Sequence, residues 1–183
     1  MSDALSKIPF LIVRDYKENR QKCTVSPLRG QDGFRFVDLP HPSRSSTVET
    51  IPPGILLSVD APELQREDCK RLGAGCVTLI DSTWARLSKV LQRVRLAPNE
   101  TTLPRSLPRD VVSAYPRVSK LYDDPRAGLA SIEAVFAATV ILGKPDLGVI
   151  EHYRWAAEFL EQNHLTWKRL GWNRRTPNSP PID

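Results

Sequence analysis

Short apolar runs alternate with amphipathic and turn-rich stretches along the 183 residues. Phe10-Leu11-Ile12-Val13 predicts a short buried strand, and the polar run from Arg14 to Cys23 leads away from it. From Gly30 to Pro53, Pro40, Pro42, Pro52 and Pro53 surround a Ser/Thr cluster at 43–47. That composition predicts loop, with an edge strand at Phe34–Val37. Next come a strand at Ile55–Leu57, a helix from Pro62 to Leu72 stopped by Gly73 and Gly75, and a second strand at Cys76–Ile80. Strand, crossover helix and strand in that order predict a parallel pair with a right-handed connection. Asp81 follows the second strand, and Ser82 or Thr83 is placed to cap the next helix. There Trp84, Leu87, Leu91 and Val94 recur at helical spacing and are expected to face the core.

Thr101–Pro108 reads as a proline-bounded loop, and the chain stays irregular through Pro116 and Pro125. A strong helix is predicted from Ala130 to Leu142, stopped by Gly143 and Pro145. A last helix is predicted from Asp146 to Asn163, with Leu147, Ile150, Tyr153, Ala157 and Leu160 on one face. The tail from Asn173 to Asp183 has the composition of a disordered segment. The expected organisation is a small N-terminal lobe and loop over 1–53, the main domain over 54–172, and the tail over 173–183.

No run approaches the ~18–20 apolar residues that cross a membrane, and the N-terminus carries an acid and no apolar signal core. Cys23, Cys69 and Cys76 form no C-x-x-C pair or disulfide framework, and His41, His152 and His164 lack metal-ligand spacing. A cytoplasmic protein without membrane or metal is expected. The net charge is +5, and an excess of the same size sits between Ser82 and Arg126. Its bases are Arg86, Lys89, Arg93, Arg95, Arg105, Arg109, Arg117, Lys120 and Arg126. A local basic excess suits a phosphate-bearing partner, because neutralised phosphates release counterions; a solvated helix face gives the same pattern.

There is no P-loop, G-x-G-x-x-G or G-x-S-x-G, which removes the common nucleotide and hydrolase readings. Asp81 sits where open α/β sheets place ligands, at a strand's carboxyl end before a helix. Its surroundings, Asp81-Ser82-Thr83-Trp84-Ala85-Arg86-Leu87, resemble the D-C-S-W-A-R-L segment of the small-subunit rRNA aminocarboxypropyltransferases, a ribosome-biogenesis family. They also resemble the D-G-T-W-x-x-A-R segment of the related DTW-domain tRNA aminocarboxypropyltransferases. Flanking features follow in family order. Lys22-Cys23-Thr24 is similar to K-C-[ST], Leu107-Pro108 and Ala114-Tyr115-Pro116 to L-P and A-N-P, and Leu129–Ala134 to L-[SN]-[CT]-[VI]-E-A. Tyr153–Asn163 resembles the terminal F-x-W-G-x-x-F-L-x-x-N helix. The resemblance spans about residues 10 to 165. It departs at Leu121–Pro125, where the family has N-Y-G-x-P, and at Arg126-Ala127-Gly128, where an aromatic and a lysine are usual.

The resemblance implies a SPOUT-like, knotted parallel α/β sheet with flanking helices. It also implies that S-adenosyl-L-methionine donates a 3-amino-3-carboxypropyl group to a uridine or pseudouridine in RNA, releasing methylthioadenosine. The favoured RNA is rRNA or a pre-ribosomal particle, with tRNA second. Carried over, the cofactor contacts are Thr24, Asp81, Trp84, Leu107, Ala127 and Ser131, and Asp81 is the catalytic candidate. Thr24 and Ser131 offer hydroxyls to the methionine end, and the following helix start favours an anion. Leu107 and the Trp84 region would cover the adenine. Asp81 could bond the ribose or amine, balance the sulfonium or accept the uridine proton; the alternative to these roles is a cap on the next helix. Glu133 reads either as a functional acid or as a complement to the helix dipole, and Trp155 as core packing ahead of an RNA platform. Two rival functions share these features: a SPOUT-type RNA methyltransferase and a non-catalytic ribosome-assembly factor.

Overall fold

A computed structural model of the chain describes residues 7–45, 48–96, 102–116 and 128–173. Five strands form one sheet: β1 (Phe10–Arg14), β2 (Phe34–Asp38), β4 (Gly54–Leu57), β5 (Cys76–Asp81) and β7 (Thr102–Arg105). Their order is β2-β1-β5-β4-β7, and every pairing is parallel. A separate parallel ribbon joins β3 (Glu49–Ile51) to β6 (Val94–Leu96).

The side-chain period of two divides the core. Phe10, Ile12, Val77 and Leu79 point into the larger cluster, whereas Leu11, Val13 and Ile80 point into a smaller one with Ile51 and Val90. Helix α3 (Ser131–Ile141) covers the larger face, and ten of its eleven residues are buried. Burial of each large apolar side chain is worth about 1.5–3 kcal/mol, so this helix anchors the fold despite having no polar stripe. Helix α2 (Trp84–Leu91) and the β3–β6 ribbon cover the other face. The short helices α1 (Asp68–Leu72), α4 (Ala156–Gln162) and α5 (His164–Arg169) complete the layers.

Several expectations change. The strands at Phe10 and Phe34 lie in the main sheet, and β1 is an inner strand paired on both sides, although the sequence assigned this stretch to a separate lobe. Thr102–Arg105, expected as loop, is edge strand β7, where Pro104 is tolerated because an edge residue needs no N–H on its open side. In α2 Val90 is buried in the core and Leu87 packs against it as expected, while Leu91 is exposed and Val94, packed on the same core, belongs to β6. The Pro62–Leu72 helix shrinks to its last five residues, because Glu63 instead bridges to Ser106 beyond β7. The single helix expected over 146–163 is broken into a 3-10 turn at Leu147–Ile150 and α4, and α5 follows beyond it. Asp146 starts the turn by accepting the Gly148 N–H at 2.9 Å. No helix among the described residues is long and apolar enough to cross a membrane.

Candidate functional site

All five strands of the sheet run the same way, so the segments that follow them gather at one edge. From β1 the chain proceeds to β2 on one side, and from β5 it proceeds to β7 on the other. The carboxyl ends of β1 and β5 therefore flank a topological switch point, the crevice in which open parallel sheets bind ligands. Arg14 and Asp81 are register partners there, and the ladder continues as the Asp15 N–H donates to the Asp81 carbonyl at 3.0 Å.

Three of the expected site residues meet in this crevice. Asp81 is 5% exposed. The Ser131 hydroxyl donates to its Oδ1 at 2.6 Å, and the Cys23 thiol faces its Oδ2 at 3.0 Å. Thr24 Oγ1 accepts the Ile132 N–H at 3.3 Å, so a loop residue satisfies one of the open amides at the start of α3. Ser131 precedes Ile132 in that first turn, so Thr24, Asp81 and Ser131 form one cluster spanning 108 residues of sequence from Thr24 to Ile132. Asp81 does not cap α2: Thr83 holds the N-cap position and makes no side-chain cap bond.

The remaining expected contacts are spread out. Trp84 is the half-buried first residue of α2, three residues beyond Asp81. Leu107 lies two strands over, past the end of β7, packed on the main core. It lines a depression of about 470 Å³ with Val59, Pro62 and Arg109, between the loops after β4 and β7. That size is within the ~300–1,000 Å³ typical of small-molecule sites. Ala127 falls outside the described residues.

The crevice is electronegative. Asp15 is buried and paired with Arg86 through Nε and, at 3.1 Å, through Nη2. Arg14 is also buried and pairs with Asp38 at 2.7 Å. Asp81, in contrast, has no ion pair among the described residues. Burial, followed by repulsion from Asp81, raises the Glu18 carboxyl above its ordinary value and likewise raises the Cys23 thiol. A carboxyl whose pKa is raised on folding stabilises the fold when protonated and loses that contribution as pH climbs through the raised value. Glu18→Gln is therefore expected to stabilise the protein at neutral pH and to leave its stability in acid unchanged. Urea titrations at pH 4 and pH 7 check this; equal midpoints relative to the parent at both values would count against the crowding of Glu18 by Asp81.

Sequence reasoning missed the scaffold behind the cluster. Glu133 is fully buried and accepts four hydrogen bonds: from Ser113 Oγ (2.5 Å), Ala114 N–H (2.8 Å), Ala130 N–H (2.8 Å) and Tyr153 O–H (2.9 Å). Asn163 holds the same loop through Val112, accepting its N–H at 2.7 Å and donating to its carbonyl at 2.8 Å. Trp155 is half-buried and packs edge-on against Tyr115, with ring centres 5.1 Å apart, so it is a packing residue. The basic segment is also partly structural. Arg86 is tied to Asp15, Arg105 to the buried Asp68 at 2.8 Å, and Arg93 to the Pro40 carbonyl at 2.7 Å. Lys89, Arg95 and Arg109 remain exposed, while Arg117, Lys120 and Arg126 fall outside the described residues.

Fold and site thus define a parallel α/β protein with an acidic, hydroxyl-lined crevice at the switch point. A solved structure with this architecture is the SAM-dependent rRNA:acp-transferase Tsr3 from Vulcanisaeta distributa. The two share 24% sequence identity at a TM-score of 0.64, covering 90% of this chain and 83% of that one. No protein-family model matches the chain, and no curated protein matches it by sequence.

Proposed function

We propose that this protein binds S-adenosylmethionine across the carboxyl edge of the sheet and transfers its 3-amino-3-carboxypropyl group to a uridine-type base in RNA, with rRNA favoured over tRNA. The observation that carries the reading is the meeting of Thr24, Asp81 and Ser131 at the switch point, three residues that the resemblance assigns to the cofactor. The fold shared with an rRNA acp-transferase supports it independently of those residues. A SPOUT-like knot, kinship with DTW-domain enzymes, action on a pre-ribosomal particle and a cytoplasmic setting are part of the same proposal.

The residues suit the group. A sulfonium and an ammonium are cations, and Asp81 offers a buried carboxylate without a cationic partner among the described residues. The Thr24 oxygen already accepts the Ile132 N–H, which leaves its hydrogen for a carboxylate. The first turn of α3 adds a favourable dipole for that anion. Leu107 and its depression are assigned to the adenosine end, together with Trp84 and Ala127. Adjacent strands lie about 4.8 Å apart, so the two-strand step from Asp81 to the end of β7 suits an extended nucleoside–amino acid ligand.

When bound, S-adenosylmethionine supplies a sulfonium with three attackable carbons, and the product depends on which one faces the nucleophile. The protein's task is orientation. Thr24 would hold the methionine carboxylate and Asp81 and Ser131 the amine, and this anchoring would decide which sulfonium carbon is offered to the RNA base in a near-attack arrangement. The exposed Lys89, Arg95 and Arg109 supply contacts for RNA phosphates.

Thr24→Val keeps the shape and removes the hydroxyl. It is expected to lower stability by about 1 kcal/mol through the unsatisfied Ile132 N–H and to weaken S-adenosylmethionine binding roughly ten-fold. Thermal melts and titration calorimetry check both; unchanged affinity would remove Thr24 from the site. The RNA target is tested by nucleoside mass spectrometry of rRNA and tRNA from cells with and without the gene. An aminocarboxypropyl nucleoside lost from rRNA on deletion is expected. A lost methyl mark, or no lost mark in either RNA, would overturn the reading.

A further inference from the structure

We infer that Glu133 is a positioning residue for the methionine end of the site, setting the first turn of α3 against the loop at 113–116. This rests on the function proposed above. Glu133 stands on the third residue of α3, two positions after Ser131, and is wholly buried. All four of its partners donate, so it serves as a carboxylate acceptor without a basic partner among them. Its two oxygens divide the work. Oε2 holds the start of α3 through Ala130 N–H, and Ser113 through its hydroxyl. Oε1 holds the loop backbone at Ala114 and the hydroxyl of Tyr153.

The path to the reacting groups is short. Ala130 N–H fixes the residue before Ser131, and Ser131 in turn donates to Asp81. Ile132 N–H, one residue further, meets Thr24. A shift of the α3 start therefore displaces Ser131 from Asp81 and Ile132 from Thr24 together. The depression around Leu107 lies two strands away between residues 59–63 and 106–109, and none of the four partners of Glu133 lines it.

Glutamine cannot replace the carboxylate. Hydroxyls can rotate to accept, so an amide NH2 on either side accommodates Ser113 or Tyr153. On one side, however, it opposes Ala130 N–H, and on the other Ala114 N–H. One backbone amide is orphaned in either orientation, releasing either the helix start or the loop.

The test compares binding of S-adenosylmethionine with binding of methylthioadenosine, which lacks the amino-acid arm, by calorimetry well below each protein's melting temperature. Glu133→Gln is expected to weaken S-adenosylmethionine roughly ten-fold, the scale of a misplacement of less than about 1 Å, and to leave methylthioadenosine unchanged. Ile51→Ala, in the core on the opposite face, is the destabilised control and should lower melting while sparing both affinities. If Glu133→Gln does not fold, Tyr153→Phe removes a single donor and is read in the same way with a smaller loss. Equal retention or equal loss of both ligands in the Glu133 or Tyr153 variant would overturn the positioning role. Failure of the parent protein to bind S-adenosylmethionine would instead overturn the proposed function and this inference with it.

Discussion

Asp81→Asn is expected to fold like the parent and to lose at least ten-fold in single-turnover transfer at saturating RNA. The substitution keeps the side chain's shape, and its carbonyl oxygen can still accept the Ser131 hydroxyl that now sits 2.6 Å from Oδ1. Among the described residues it removes the only carboxylate that contacts both the α3 start and Cys23. Hydrogen bonds to charged groups are worth about 1.5–3 kcal/mol, which converts to roughly ten- to 150-fold in rate or affinity. Rapid-quench transfer assays with calorimetric titration of S-adenosylmethionine separate the two. A loss confined to affinity assigns Asp81 to charge balance at the sulfonium or ammonium, and a loss confined to rate assigns it to the proton. A folded variant with parental rate and affinity would exclude Asp81 from the site.

Arg86→Glu is expected to lower stability by about 3 kcal/mol or more, the low end of the range for breaking a buried ion pair. The Asp15 side chain is 1% exposed against 23% for Arg86, so the reversal strands a buried carboxylate and places a second beside it. Lys89→Glu, on the same helix but exposed, should stay within about 0.5 kcal/mol of the parent. Asp15→Asn combined with Arg86→Met should recover much of the loss, because the desolvated charges leave together. Urea unfolding of the four proteins measures each term. Similar midpoints for the Arg86 and Lys89 reversals would show that the pair contributes no stability. This prediction also changes how the basic segment is probed: Arg86 belongs to the fold, so RNA contacts are better tested at Lys89, Arg95 and Arg109.

The strands that position the site were legible because they pack against apolar clusters on both faces and so read as unbroken apolar runs: Phe10–Val13, Ile55–Leu57 and Cys76–Ile80. Helix α3 was legible for a related reason, a long apolar segment with clear stops at Gly143 and Pro145. Edge and ribbon strands were not. β3 and β6 have three residues each, too few for a period, and Pro104 argued against β7 until its edge position accounted for it. The last helix failed on a local competition, in which the Asp146 carboxylate took the Gly148 N–H and a 3-10 turn replaced the first helical turn.

Within the site, the meeting of Thr24, Asp81 and Ser131 came from motif order and not from any local pattern, since the contacts join residues 50 and 108 positions apart. The ion pairs of Arg86 and Arg105 join residues 71 and 37 positions apart, and charge counting along the chain cannot separate such structural bases from solvated ones. Glu133 had a local signal: an acid at the third residue of a helix can reach back to the N-cap amide, and it does so here to Ala130. Its bonds to Ser113, Ala114 and Tyr153 had none.

The central claim, transfer of the aminocarboxypropyl group and not the methyl, is tested most directly by following two labels. The protein and RNA are incubated with S-adenosylmethionine labelled either in the methyl group or in the carboxyl carbon of the methionine moiety. Attack on one sulfonium carbon leaves the other substituents on sulfur, so the outcomes are exclusive. The account predicts carboxyl label in RNA and methyl label in methylthioadenosine. Methyl label in RNA with S-adenosylhomocysteine as the small product, or neither label in RNA, would contradict it.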